Sequence, residues 1–145
     1  MWESGAVNAA DVRVPRERAG TFVRLYGRRR PHDDALVSFS VQVEAPGLRA
    51  EAGIETLQGD GLVEFVRGLD ESFLGWPGTR TWSSFRRDLR LEAVHTGGAV
   101  VLAWTLVFPE PSEGPAAIWE ATVRVQISPG EDLKQLSSDV AAFLS

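Results

Sequence analysis

The sequence contains no cysteine, and this absence excludes disulfide bonds, thiolate nucleophiles and thiolate metal sites. It also has no apolar run near the length of about 18 residues that spans a bilayer, and its longest run, from Ala99 to Val107, predicts a buried strand. The first residues lack the basic region and apolar core of a secretory signal. We therefore expect a cytoplasmic protein that makes no membrane contact.

Lysine is nearly absent, and the 14 Arg and one Lys, together with abundant Ala, Gly and Val, indicate a high-GC, actinobacterial genome. Residues 1–30 carry a net charge of +4 and the remainder carries −9, so the chain as a whole is at −5. An acidic body disfavours nucleic acid as a partner. The cluster Arg28-Arg29-Arg30 is expected to be a solvated loop, with contact to a phosphate or an acidic partner as the alternative.

The size and composition are those of one globular domain, with 145 residues, of which 43% are hydrophobic and 24% charged. We predict a single domain over residues 1–145. Within it, residues 1–35 form a basic N-terminal edge segment and residues 36–145 form the core.

Strict alternation of apolar and polar residues predicts a hairpin of two strands, Val37 to Ala45 and Leu48 to Glu55, joined by a turn at Pro46-Gly47. Two earlier strands are predicted at residues 12–14 and 21–26, the first at an edge because a proline follows it. Three later strands are predicted at residues 89–95, 99–108 and 117–127.

Apolar residues at helical spacing predict two amphipathic helices. The first follows Asp60, which we expect to cap it, and the second follows Ser128, which we expect to form a capping box with Glu131. The element order is then β-β-β-β-α-β-β-β-α. The sequence predicts an α+β fold in which a single antiparallel sheet of six to seven strands carries both helices on one face.

No arrangement of residues indicates catalysis, a cofactor or a metal ion. His95 is expected at a strand end, and the adjacent side chains of His32-Asp33-Asp34 cannot converge on a metal. Glu51 and Glu55 share a strand face but lie about 13 Å apart, which is too far for a catalytic pair. Asp60, between two glycines, fits a helix cap better than a phosphate-binding loop.

One surface is a candidate for partner binding, namely the polar sheet face opposite the helices, where carboxylates outnumber guanidinium groups. Two tryptophans beside the helix-to-strand connection are further candidates, because Trp is frequent among interface anchors. The candidate partner-binding residues are Glu51, Glu55, Glu92, Glu120, Arg124, Trp76 and Trp82.

Four stretches carry a resemblance to a known family: Phe39–Leu48, Gly59–Leu69, the tryptophans Trp76 and Trp82, and Leu102–Leu106. They resemble an uncharacterised actinobacterial family of unknown function, over residues 36–145. The layout of elements is also similar to the WapI-type immunity proteins of bacterial polymorphic toxin systems. That resemblance implies a non-enzymatic protein that neutralises a toxin, and an acidic body would complement a basic toxin.

Two other functions stay open. A small enzyme or ligand-binding domain would need a pocket between sheet and helices, with His95 and nearby carboxylates turned into it. Nucleic-acid contact through the arginine cluster would weaken steeply with salt. The sequence does not determine the oligomeric state.

Overall fold

Two antiparallel sheets of four strands each form the β-structure of the computed structural model, which describes residues 11–17, 20–30, 35–111 and 118–145. Within each sheet the strands lie in the order of the sequence. The first sheet contains β1 (Val12–Val14), β2 (Phe22–Arg29), β3 (Leu36–Ala45) and β4 (Leu48–Leu57). The second contains β5 (Thr79–Ser83), β6 (Leu89–His95), β7 (Val100–Phe108) and β8 (Trp119–Ile127). The helices are α1 (Leu62–Glu71) and α2 (Glu131–Leu144).

The prediction of a single sheet of six to seven strands is therefore wrong. Periodicity shows which face of a strand is apolar, but it does not show which other strand completes its hydrogen bonds. The chain leaves the first sheet after β4, passes through α1 and begins a new sheet at β5. That strand was missed because Trp82 is its only buried residue.

The β3–β4 hairpin is the longest paired unit, with a register that runs from Ala45 opposite Leu48 to Leu36 opposite Leu57. Gly47 has a φ of +80°, which glycine adopts without steric cost, so the predicted turn position is confirmed. The two early strands are also confirmed, with β1 at the sheet edge.

Strand β7 is one of the two interior strands of the second sheet, as its apolar run predicts. Trp104 lies between Leu91 and Val123 on the inner face and is fully buried. On the outer face, Thr105 is also buried, and its hydroxyl lies 2.8 Å from the hydroxyl of Thr122. Neighbouring side chains therefore cover both faces of β7.

The two helices pack against each other and against the inner faces of the sheets. Phe143 of α2 meets Phe39 of β3 edge to face, with ring centroids 5.7 Å apart. One cluster of buried side chains includes residues of both sheets and both helices. Neither helix in the described ranges is long and apolar enough to cross a membrane.

Both predicted helix caps need correction. Asp60 belongs to a 3-10 turn, Gln58–Gly61, and α1 begins after it with Gly61 at the N-cap. At α2 the residue that pairs with Ser128 is Asp132, not Glu131. Asp132 accepts the Ser128 backbone N–H at 3.0 Å, and its own backbone N–H donates to the Ser128 hydroxyl at 3.4 Å. The predicted start of each helix is correct to within one or two residues, but the predicted partner of Ser128 at the start of α2 is wrong.

Candidate functional site

Strand β4 crosses one end of the second sheet, and a groove follows the contact. Residues 48–51 line a cavity of about 390 Å³ together with residues 119–121 at the start of β8. Residues 52–55 line a cavity of about 320 Å³ together with residues 107–110 at the end of β7 and with Arg86 and Asp88. We call these two successive cavities the β4 groove. Eight consecutive residues of one strand thus line it.

The backbone of β4 is unpaired on the side of the groove. The two-residue turn joins Ala45 to Leu48, so Leu48 and every second residue after it direct their N–H and C=O groups toward β3. Arg49, Glu51, Gly53 and Glu55 direct theirs toward the free edge. Among the described residues, no backbone group from another element hydrogen-bonds to that edge between residues 48 and 55.

The charged groups of the β4 groove are mixed, with an excess of carboxylates. The lining carboxylates are Glu51, Glu55, Asp88, Glu110 and Glu120. The lining guanidinium groups are Arg29, Arg49 and Arg86. Five acidic groups against three basic ones leave an excess of carboxylates, of which Asp88 is buried and Glu120 is paired with Arg90 at 3.5 Å.

Two of these carboxylates have well-defined partners within the groove. Glu55 forms an ion pair with Arg86 at 2.9 Å, which links the first sheet to the turn between β5 and β6. Asp88 is only 5% exposed and accepts a hydrogen bond from the Ser84 hydroxyl at 2.7 Å. Burial raises the pKa of the Asp88 carboxyl above its ordinary value, and the Ser84 hydrogen bond and the charge of Arg86 oppose this only in part.

Asp60 fixes the far end of the groove. Its carboxylate accepts the Leu57 N–H at 3.2 Å and the Phe85 N–H at 3.0 Å, and its carbonyl oxygen accepts the indole N–H of Trp82 at 2.8 Å. Asp60 therefore bonds both the end of β4 and the turn between β5 and β6. This arrangement sets the distance between the strand edge and the second sheet.

Exposed apolar side chains lie where the two cavities meet and near the end of the groove at Asp60. Phe108 of one cavity is 46% exposed and stacks on Trp119 of the other, with ring centroids 5.6 Å apart. Near the Asp60 end, Leu57 and Phe85 are exposed to a similar extent, and the Arg86 guanidinium lies 5.5 Å from the Phe85 ring centroid. Exposed apolar side chains with polar residues around them are typical of a surface that binds another molecule.

The expected continuous acidic face does not exist, because its residues belong to two different sheets. Glu51 and Glu55 lie on the first sheet, whereas Glu92, Glu120 and Arg124 lie on the outer face of the second. The fold nevertheless brings Glu51 and Glu120 into the same cavity and Glu55 into the adjoining one. Glu92 and Arg124 flank Ala103 on neighbouring strands and do not line the groove.

The two candidate tryptophans lie in the protein interior. Trp76 is 6% exposed and donates its indole N–H to the Ala93 carbonyl oxygen, and Trp82 is 9% exposed and bonds Asp60 as described. A role for them in partner binding stays a prediction, and their burial leaves little side-chain surface for it.

His95 serves the structure at the end of β6. Its Nδ1 accepts the Gly97 N–H at 3.0 Å, so the ring proton lies on Nε2, which donates to the Phe73 carbonyl oxygen at 2.8 Å. The ring also meets Trp76 edge to face, at 5.2 Å between centroids. His32-Asp33-Asp34 lies outside the described residues. Within the described ranges, no group of three or more His, Asp or Glu side chains is placed to hold a metal ion.

The arginine cluster does not form a loop, because Arg28 and Arg29 lie in β2. Arg28 is half-buried, whereas Arg29 and Arg30 are exposed. Arg24, on the same strand, bonds Asp11 at 2.8 Å and covers the Tyr26 ring at 4.1 Å, so this aromatic ring is not free on that face. Arg29 lines the β4 groove.

Sequence reasoning missed Arg86, Asp88 and Phe108 as groove residues. The only local signal was the polar stretch Arg86-Arg87-Asp88, in which Arg87 has a φ of +61° and turns the chain sharply. That signal indicates a tight turn, but not that the turn lies beside β4.

The fold and the groove define an α+β protein with two antiparallel sheets and an acidic groove along a strand edge. The chain belongs to a protein family of unknown function, DUF6228, whose model matches residues 14–145. The match begins in β1, so the expected limit of the resemblance at residue 36 is wrong, and the basic N-terminal strands are part of the family pattern. Comparison with curated proteins and comparison with solved structures each gave no match.

Proposed function

We propose that this chain is a non-enzymatic protein-binding module that takes a basic partner through the β4 groove. The observation that carries the proposal is the coincidence of an unpaired strand edge with an excess of carboxylates along it. Exposed Phe108, where the two cavities meet, and exposed Phe85, near one end, provide apolar contacts in addition to the charge complementarity.

The alternative of a small-ligand site or an enzyme pocket between sheet and helices has less support. Trp104, Phe39 and Phe143 are fully buried between these layers. Both ring nitrogens of His95, the imidazole that this alternative would use, already bond backbone groups.

The specific role that we propose is immunity, in which the chain neutralises a basic toxin. Its support is the resemblance of the sequence pattern to WapI-type immunity proteins and the net charge of −5. The arginine-rich composition favours an actinobacterial source. A cytoplasmic location suits the role, because a producer cell must block its own toxin there.

The test starts with this chain as bait in a lysate of the organism that encodes it. Each captured protein is produced alone, and its affinity for the chain is measured by titration calorimetry at low and at moderate salt. We expect a basic partner whose affinity falls as salt rises, since complementary surface charges are screened. Expression of that partner alone should stop bacterial growth, and co-expression of this chain should restore it.

The double variant Glu51→Gln/Glu120→Gln should weaken that affinity by about tenfold or more, because both carboxylates line one cavity. The control variant is Glu64→Gln, an exposed carboxylate on α1 away from the groove. Growth that is not restored would exclude the immunity role. An affinity that the double variant leaves unchanged would exclude the groove as the binding surface.

A further inference from the structure

We infer that an extended basic segment of the partner adds to β4 as a fifth strand of the first sheet, an inference that rests on the proposed function. Strand addition to a free edge gains affinity from main-chain hydrogen bonds and specificity from alternate side chains. In β4, Arg49, Glu51, Gly53 and Glu55 present their N–H and C=O groups to the groove, as derived above.

Of the four edge strands, β4 is the longest, and among the described residues no backbone group of another element bonds its outer side. Edge strands are commonly protected by short length, proline, bulges or a covering element. β1 has three residues and is followed by Pro15, and β5 has five residues, whereas β8 has nine residues and lies close to β2 and β3, as β4 lies close to β7. β4 has ten residues, no proline and no shift in its register with β3.

The side chains of β4 leave room for another backbone. The side chains of a strand point to the two faces of the sheet, so a new strand about 4.8 Å away meets the backbone of β4 and lies beside its side chains. Ala50, Ala52 and Gly53 are small, and a Cβ added to Gly53 would meet no atom within 4 Å. A glycine in a strand interior often marks such a close approach of backbones.

Charge favours a basic partner, because Glu51 and Glu55 lie along the groove and its carboxylates outnumber its guanidinium groups. On an incoming strand, the residues beside Glu51 and Glu55 should therefore be Lys or Arg. The other residues of the incoming strand would point to the opposite face of the sheet, where Ile54 and Phe108 lie, and should be apolar.

The probe for this inference is the capped peptide Lys-Val-Lys-Val-Lys-Val-Lys, added to isotope-labelled protein and followed by two-dimensional amide NMR. We expect the largest shifts in residues 48–55. A version of the peptide that is N-methylated at alternate residues lacks the main-chain donors and should bind at least about tenfold more weakly. The matching peptide of Glu and Val should not bind.

Gly53→Pro is the decisive variant, because it removes the central outward N–H while an edge strand tolerates proline on its free side. It should weaken peptide binding about tenfold or more, whereas Gly53→Ala, which keeps the N–H, should bind like the parent protein. Circular dichroism and the thermal midpoint establish that both variants are folded.

Absence of peptide binding at millimolar concentration, shifts centred away from β4, or equal binding by Gly53→Pro and Gly53→Ala would each overturn strand addition. Failure of strand addition can be distinguished from failure of the proposed function. A toxin partner whose affinity depends on Glu51 and Glu120 but not on Gly53→Pro would leave the binding module standing and remove only this mode of recognition.

Discussion

Trp82 donates its indole N–H to the carbonyl oxygen of Asp60 at a distance of 2.8 Å, which joins the second sheet to the turn that ends β4. The Asp60 carboxylate adds bonds to Leu57 and Phe85 on the two sides of the same junction. The relative position of the sheets at the β4 groove therefore depends strongly on this one residue.

Replacement of Asp60 with alanine should lower the free energy of unfolding by about 1–3 kcal/mol, because two backbone N–H groups lose their acceptor. Asp60 also has a φ of +54°, which alanine adopts less readily than aspartate. Urea denaturation of Asp60→Ala and Asp60→Asn measures the effect, and the asparagine variant should retain part of the stability. Equal midpoints for the parent and the alanine variant would contradict the role of this junction.

Replacement of Asp88 with asparagine should change how stability depends on pH. The folded-state pKa of Asp88 is raised above the ordinary value of 3.8, so the folded chain holds this proton more tightly than the unfolded chain. The contribution of Asp88 to stability is thus largest at low pH and falls as pH rises through the interval between the two pKa values. The asparagine side chain does not titrate and can still accept the Ser84 hydrogen bond.

The free energy of unfolding of Asp88→Asn relative to the parent should therefore rise between pH 3 and pH 7. Glu64→Gln, which replaces an exposed carboxylate, is the control. Urea denaturation at a series of pH values gives the comparison, and a difference that stays flat or falls with pH would contradict the prediction.

Replacement of Phe143 with alanine should lower the free energy of unfolding by about 3–5 kcal/mol, because the side chain is fully buried against Phe39 and leaves a cavity. Phe73→Ala is the matched control, since that side chain is 46% exposed. We expect the control to lose much less. Similar losses for both variants in chemical denaturation would show that Phe143 is not a core residue.

Replacement of Gly47 with alanine should destabilise the β3–β4 hairpin by about 1–2 kcal/mol, because its φ of +80° brings a Cβ too close to the backbone. The control is Gly98→Ala, at a glycine in open space whose φ lies outside the left-handed region. Thermal unfolding compares the two, and a larger loss for the control would contradict the turn geometry.

The sequence by itself determined the local elements. Alternation over residues 37–45 and 48–55 predicted β3 and β4 because one face of each strand is apolar and the other polar, although the polar face of β3 is also buried at Ser38 and Gln42. Helical spacing predicted α1 and α2 for the same reason, and Glu51, Glu55 and Glu120 were named as surface carboxylates from their positions in those patterns. These predictions depend only on the spacing of apolar and polar residues within one strand or one helix.

The tertiary structure alone decided which strands share a sheet and which charged residues share a groove. Arg86 and Asp88 meet β4 only because α1 and β5 place their turn beside it, and Glu120 meets Glu51 only because β8 begins at that edge. A strand pattern is set by the side chains of its own residues. The neighbours of a strand depend on the burial and hydrogen bonding of residues far away in the chain. The periodicity of the strand itself therefore does not predict which strands pair with it.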